Sequence, residues 1–261
     1  MHSPAKGHER AISESSCTFL NHSSPVSSKI SENDDAALSP PLPTTSELQT
    51  LLALPVLDEH GQEAMFGDIL NDPAAVNSDK AVIVLFIRHF WCPLDQDYVQ
   101  EVGDILRSKA GKKAIPEVII ISNGSPALIA KYKEIFDLEA EKGSNLKVKM
   151  YTDPTCRTYE VLGMENPALA RSASPLSINS THVSTSRSYV KHTSVIGGIA
   201  TVVLRAIKVG MPVWEKGGAI KQLGGELVTG RDPEMQVACV FAHRMRNTQD
   251  HTPIGDVLKI A

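Results

Sequence analysis

The chain has no hydrophobic run long enough to cross a membrane. Its best candidate, Val195 to Ile207, is short and carries Arg205, whereas a span needs roughly 18 or more apolar residues. A basic excess is missing too. With 26 Lys and Arg against 30 Asp and Glu, the formal charge of −4 gives no footprint for a phosphate backbone, so nucleic acid is not an expected partner. Cysteine is scarce. Cys17, Cys92, Cys156 and Cys239 are widely spaced and form neither CxxC nor a zinc-ligand pattern, and the nine histidines show no ligand spacing. A disulfide scaffold and a metal centre are therefore not expected. The opening MHSPAKGHERAISESS lacks the apolar core of a secretory signal and the acid-poor, Arg-rich character of a mitochondrial one. The expectation is a soluble cytoplasmic protein.

What is there is ordinary globular material, 42% hydrophobic and 21% charged, enough for one large domain with appendages. Residues 1–46 hold eleven Ser and five Pro and end in SPPLPTTS, the composition of a disordered tail. The domain is expected over 47–261. Its first segment, from Glu47, reads as a short helix, a strand ending at Leu57, a turn over Glu59 to Gly61 and another short helix. Lys80 to Ile87 and Glu117 to Ser122 are continuous β-branched runs, the signature of strands buried on both faces. Helices are expected from Pro93 to Gly111, where Pro suits the first position, and over Pro126 to Phe136. A strand over Lys147 to Tyr151 and a helix over Pro154 to Leu162 continue the alternation. Together these predict an α/β fold with a mostly parallel sheet and right-handed crossovers. Residues 166–190, rich in Ser and Thr and without periodicity, read as a surface insertion. SVIGGIATVVLRAIKVG then reads as a helix with a broad apolar stripe, ELVTG and QVACVFAHR as an antiparallel hairpin, and the segment from Pro253 as a closing helix.

FIRHFWCPLDQDYV, residues 86–99, sets one cysteine between a buried strand and the first turn of a helix. Open α/β sheets place ligands at the carboxyl ends of strands. The helix N-terminus favours a thiolate, so Cys92 is expected to have a lowered pKa and to be the nucleophile, with Arg88 and His89 adding positive potential. The other cysteines read as packing or tail residues. A second thiol at position 95 would complete a redox pair, but Asp95 stands there. Three readings of Asp95 stay open: a helix-capping acid, a charge that opposes the Cys92 thiolate, or a general acid or base beside the thiol.

The order RHFWCP, DPT with YEVLGM, LGGELVTG and FAHR resembles the fungal branch of the AhpC/TSA-type antioxidant-enzyme-domain proteins, from about Leu51 to the C-terminus. These are peroxiredoxin-like proteins related to the prostamide/prostaglandin F synthase group. The resemblance implies a thioredoxin-like central mixed sheet flanked by helices, with the catalytic thiol at Cys92. By analogy it makes Arg244 the cation near the thiolate, and it sets Gly224 and Gly225 against the substrate with Arg88, His89 and Trp91. The loss of a second thiol at Asp95 is the departure. It leaves two functions open, apart from a non-catalytic regulatory role. One is a thiol-dependent, peroxiredoxin-like oxidoreductase that binds no cofactor and is recycled by glutathione or another external thiol. The other is a non-redox dehydratase, isomerase or cyclase of secondary metabolism that works on a small molecule through a Cys92/Asp95 pocket. A homodimer is compatible with either.

Overall fold

The computed structural model describes residues 41–71, 81–109, 116–139, 148–164, 189–191 and 195–261. Most of the expected tail and nearly all of the 166–190 insertion lie outside the described residues.

The first helix, α1 (Thr45–Leu52), starts two residues ahead of Glu47 because Thr44 caps it. The Thr44 hydroxyl accepts from the Glu47 N–H, and the Glu47 carboxylate accepts from the Thr44 N–H at 2.7 Å, a closed capping box. A hairpin of β1 (Pro55–Leu57) and β2 (Glu63–Met65) follows, then α2 (Phe66–Leu70). Next come β3 (Val82–Phe86), α3 (Pro93–Lys109), β4 (Glu117–Ser122), α4 (Ile129–Ile135), β5 (Val148–Thr152) and α5 (Arg157–Val161). The chain continues with α6 (Val195–Val209), β6 (Gly225–Arg231), β7 (Val237–Arg244) and α7 (Ile254–Ile260).

The described strands form one seven-stranded sheet in the order β2-β1-β5-β4-β3-β6-β7. Only β3–β4 and β4–β5 are parallel, so the mostly parallel sheet expected from the alternation is in fact mixed. The reason lies in β6. It returns after α6 to run antiparallel to β3, pairing Phe86 with Gly225, and local patterning carries no trace of that pairing. The unit β3-α3-β4, followed by the antiparallel β6–β7 hairpin and α7, is the thioredoxin-like arrangement.

Two cores cover the two faces, as period-2 alternation requires. Ile83, Leu85 and Ile87 of the β3 segment point toward α3, α4, α6 and α7, where they meet Val99, Val102, Tyr132, Ala206 and Val257. Val82, Val84 and Phe86 point the other way, toward α1, α2 and Tyr159 of α5. The Tyr159 hydroxyl sits 2.7 Å from the Ile87 carbonyl and 3.0 Å from that of Ile121, which pins the ends of β3 and β4 together. The sheet thus holds the end of β3, where the thiol corner begins, between two packed layers. Helix α6 packs Val202 and Ala206 inward and sends Arg205 over the Phe136 ring and onto Gln96, while Ile196, Leu204 and Ile207 face outward.

Candidate active site

Residues 87–92 turn the chain from β3 into α3, and Pro93 takes the first helical position, where a missing N–H costs nothing. The turn is closed by the Cys92 N–H donating to the His89 carbonyl at 3.1 Å. Cys92 is 2% exposed. Its sulfur faces the Arg88 guanidinium, with Nη1 3.2 Å from Sγ. The other arms of that guanidinium donate to the Ile220 carbonyl at 2.7 Å and the Gln222 carbonyl at 3.1 Å. One side chain therefore ties the thiol to the segment before β6.

The same segment presses on the corner at two glycines. The Phe90 N–H donates to the Gly217 carbonyl at 2.9 Å, and a Cβ at Gly217 would stand 1.6 Å from the Trp91 ring. Gly218, at φ 120°, leaves room for His89 and for the Asn123 side chain. Trp91 and His89, named from the sequence as substrate contacts, are packed against this segment.

Asp95 is completely buried. Its Oδ2 accepts from the backbone N–H groups of Arg88 at 2.8 Å and His89 at 3.3 Å, and its Oδ1 lies 3.1 Å from His251 Nε2. The N–H groups that Asp95 satisfies belong to the loop that carries Arg88, so it caps that loop, and its negative charge also opposes the Cys92 thiolate. Gln96 completes the bracing, donating to the Phe90 carbonyl at 3.0 Å and accepting from Arg205 at 3.2 Å.

Arg244 is not the cation at the sulfur. Its guanidinium donates to the carbonyl of Leu162, which ends α5, and to that of Pro41 at 2.7 Å. Arg88 occupies the place assigned to it. Gly224 and Gly225 serve close backbone packing: a Cβ at Gly224 would fall 1.8 Å from the Phe86 carbonyl oxygen, and one at Gly225 2.1 Å from that of His243. Cys156 is buried against the Phe86 face at the start of α5, and Cys239 lies half-buried on β7. Cys92 and Cys239 are free thiols.

The lowered thiol pKa expected from the helix N-terminus is overturned. Burial first, and then the Asp95 charge, push Cys92 up to about 12, against Arg88 and the N–H groups of Asp95 and Leu94. Asp95 itself is held low, since His251, Arg88 and His89 outweigh the cost of its burial. His89 is driven down to about 4 by burial, against the pull of Asp95, and is neutral at pH 7.

The sequence assigns no role to His243, His251 or Glu226, yet these form the polar interior behind the corner. Glu226 Oε1 lies 2.6 Å from His251 Nδ1 and its Oε2 2.7 Å from His243 Nδ1, while Oε2 also accepts from the Thr252 N–H at 3.1 Å. The available signal was a carboxylate inside the strand GELV, at a position flanked by residues that must be buried. Burial opposes charge on both imidazoles, but Asp95 and Glu226 raise His251 to about 9, and Asp250 and Glu226 raise His243 to about 9.

These shifts predict a stability optimum near pH 6. His251 and His243 stabilise fully below their unfolded pKa of about 6.5, and their contribution fades as pH rises through 9, about 3 kcal/mol from the buried His251 alone. His89 acts in the opposite sense, because its stabilisation is present above about 6.5 and is lost as pH falls through 4. Chemical unfolding at pH 4.5, 6 and 9 checks this, and a flat profile would exclude a charged, buried His251.

Among the described residues, no group of three or more His, Cys, Asp or Glu side chains could hold a metal ion, and no helix is long and apolar enough to cross a membrane.

A β-α-β-β-β-α core with a buried thiol at the β3–α3 corner and an arginine on its sulfur defines a thioredoxin-like protein. The chain is 29% identical over 207 residues to human (Homo sapiens) Peroxiredoxin-like 2C, covering 79% of this chain and 76% of that protein. It is 28% identical over 240 residues to the mouse (Mus musculus) protein of the same name, covering 90% and 91%. The Bos taurus protein, also named Peroxiredoxin-like 2C, matches at 28% over 207 residues. The chain is thus similar, over most of its length, to proteins named peroxiredoxin-like. They are vertebrate, so the fungal part of the resemblance stays with the motifs alone. No family model matches. A solved structure of a secreted Mycobacterium tuberculosis disulfide oxidoreductase homologous to E. coli DsbE overlaps 44% of this chain and 72% of that one, at 9% identity and a TM-score of 0.31, too low to add to the topology.

Proposed function

We propose that this protein is a thiol-dependent, peroxiredoxin-like oxidoreductase that works through Cys92 alone. The observation that carries the reading is the Arg88 guanidinium 3.2 Å from Sγ at the strand-to-helix corner, in a chain whose relatives are named peroxiredoxin-like. The Cys92 thiol gives up its proton, and the thiolate attacks one oxygen of a hydroperoxide. An S–O bond forms as the O–O bond breaks, the departing oxygen leaves as water or alcohol, and Cys92 becomes a sulfenic acid. Arg88 stabilises the negative charge on sulfur before attack. Asp95 offers no local disulfide, so an external thiol such as glutathione displaces water to give a mixed disulfide. A second thiol then releases Cys92, leaving the oxidised disulfide of the external thiol. The reading fits a reducing, cytoplasmic setting.

The non-redox alternative needs Asp95 to face a substrate. Both of its oxygens are taken, by two backbone N–H groups and by His251, so no observation favours that chemistry. The test is peroxide consumption with glutathione as reductant. Cys92→Ser is expected to reduce it to the uncatalysed background, and turnover equal to that of the unmutated protein would overturn the proposal.

A further inference from the structure

Behind the thiol corner runs a chain of alternating charges contributed by α3, β6, β7 and the loop that follows it. Asp95 meets His251 at 3.1 Å, His251 meets Glu226 at 2.6 Å, and Glu226 meets His243 at 2.7 Å. His243 then reaches Asp250 at 3.6 Å, which Arg246 pairs at 2.9 Å. Asp95, His251 and Glu226 are completely buried, whereas Arg246 is exposed, so the chain leads from the corner to the surface.

The geometry fixes the charge of the central imidazole. Each ring nitrogen of His251 faces a carboxylate oxygen, and an ionised carboxylate only accepts, so both nitrogens must carry protons and the ring is an imidazolium. The ring lies flat on Tyr98, with centroids 4.1 Å apart and planes 6° from parallel, which holds both contacts in line. On its other side, Asp95 grips the N–H groups of Arg88 and His89. A single carboxylate therefore joins the imidazolium to the loop that aims the guanidinium at sulfur.

We propose that His251 is a positioning residue for Cys92: by neutralising Asp95 it keeps that carboxylate from suppressing the thiolate and holds the Arg88 loop on the sulfur. The inference rests on Cys92 being the reacting thiol. Its sign follows from the order of charges. Asp95 without its cation presents an uncompensated negative charge to a buried sulfur, in a medium where such charges act strongly. The buried tyrosines beside the site stay protonated in the neutral range. Burial holds Tyr98, facing His251, and Tyr132, facing Cys92 and Asp95, well above 10, and Tyr159 likewise. His89 is neutral, the Arg88 guanidinium faces the sulfur, and Tyr189 meets His251 edge-on. His243 reaches His251 through Glu226.

The experiment measures iodoacetamide labelling of Cys92 against pH, quantified on the Cys92 peptide by mass spectrometry so that the other cysteines do not contribute. His251→Gln is expected to slow labelling at fixed pH about 10-fold, the equivalent of one pKa unit. Asp95→Asn is expected to speed it by a similar factor, and the double variant to return toward the unmutated curve. Superimposable curves for His251→Gln and the unmutated protein would overturn the proposal, as would a double variant no faster than His251→Gln. If His251→Gln does not fold, Asp95→Asn alone decides, and an unchanged labelling curve refutes the coupling. Peroxide consumption is measured separately, so its absence in the unmutated protein would remove the redox reading while the Asp95–His251 coupling stands or falls on labelling.

Discussion

Glu226→Ala is expected to destabilise the fold by about 3–5 kcal/mol, the cost typical of removing one partner from a buried charge network. Glu226 is completely buried, and its two oxygens serve two imidazoles and the Thr252 N–H. Without it, the Nδ1 atoms of His251 and His243 lose their acceptor, and each ring keeps a single carboxylate, Asp95 or Asp250, to offset its buried charge. Its own pKa is held low, since His243 and His251 outweigh the penalty of burial, so it is a carboxylate throughout the neutral range. Glu226→Gln keeps the shape and one acceptor but turns an N–H₂ toward the second imidazole, and is expected to cost less. Urea unfolding of the two variants at pH 6 measures both effects. A loss below about 1 kcal/mol for Glu226→Ala would mean that the histidines are neutral and the network only polar.

Gly224→Ala is expected to cost about 3 kcal/mol or more, against a gain from the same substitution at Gly255. A Cβ at Gly224 would stand 1.8 Å from the Phe86 carbonyl oxygen, and main-chain atoms at the end of a central strand cannot swing aside as a side chain would. Gly255, in the first turn of α7, has nothing within 4 Å of such a Cβ. Alanine there removes unfolded-state entropy and should add about 0.5–1 kcal/mol. Equal unfolding midpoints for the two variants would show that β6 can move away from β3, and the close approach would then not define the corner.

The parts of this protein legible in its sequence are those set by neighbours in the chain. Val82 to Phe86 and Glu117 to Ser122 announced buried strands because both of their faces are covered, and Pro93 with Asp95 announced a helix start. The cysteine corner was legible for the same reason. What stayed hidden was set by partners far along the chain. Arg88 and Arg244 are alike in local terms, and only the path of the segment before β6 puts carbonyls at Ile220 and Gln222 where Arg88 can brace against them. The helix N-terminus suggested an acidic thiol, but the depth of Cys92 depends on the packing of both layers and reversed that expectation. His251 was unreadable because its carboxylates come from α3 and β6, neither of them near it in the chain.

That long separation bears on how the protein is made. Asp95 and His251 stand 156 positions apart, and Arg88 and Gln222 134 apart. A ribosome delivers the chain from its N-terminus, so the cysteine emerges long before the strand and loop that enclose it. Until the β6–β7 hairpin docks on β3, the nascent thiol lies open to oxidants and to other thiols. Contacts of such high sequence separation form slowly. The interval in which Cys92 is most vulnerable to misplaced chemistry is therefore its synthesis, before folding narrows access to a residue only 2% exposed.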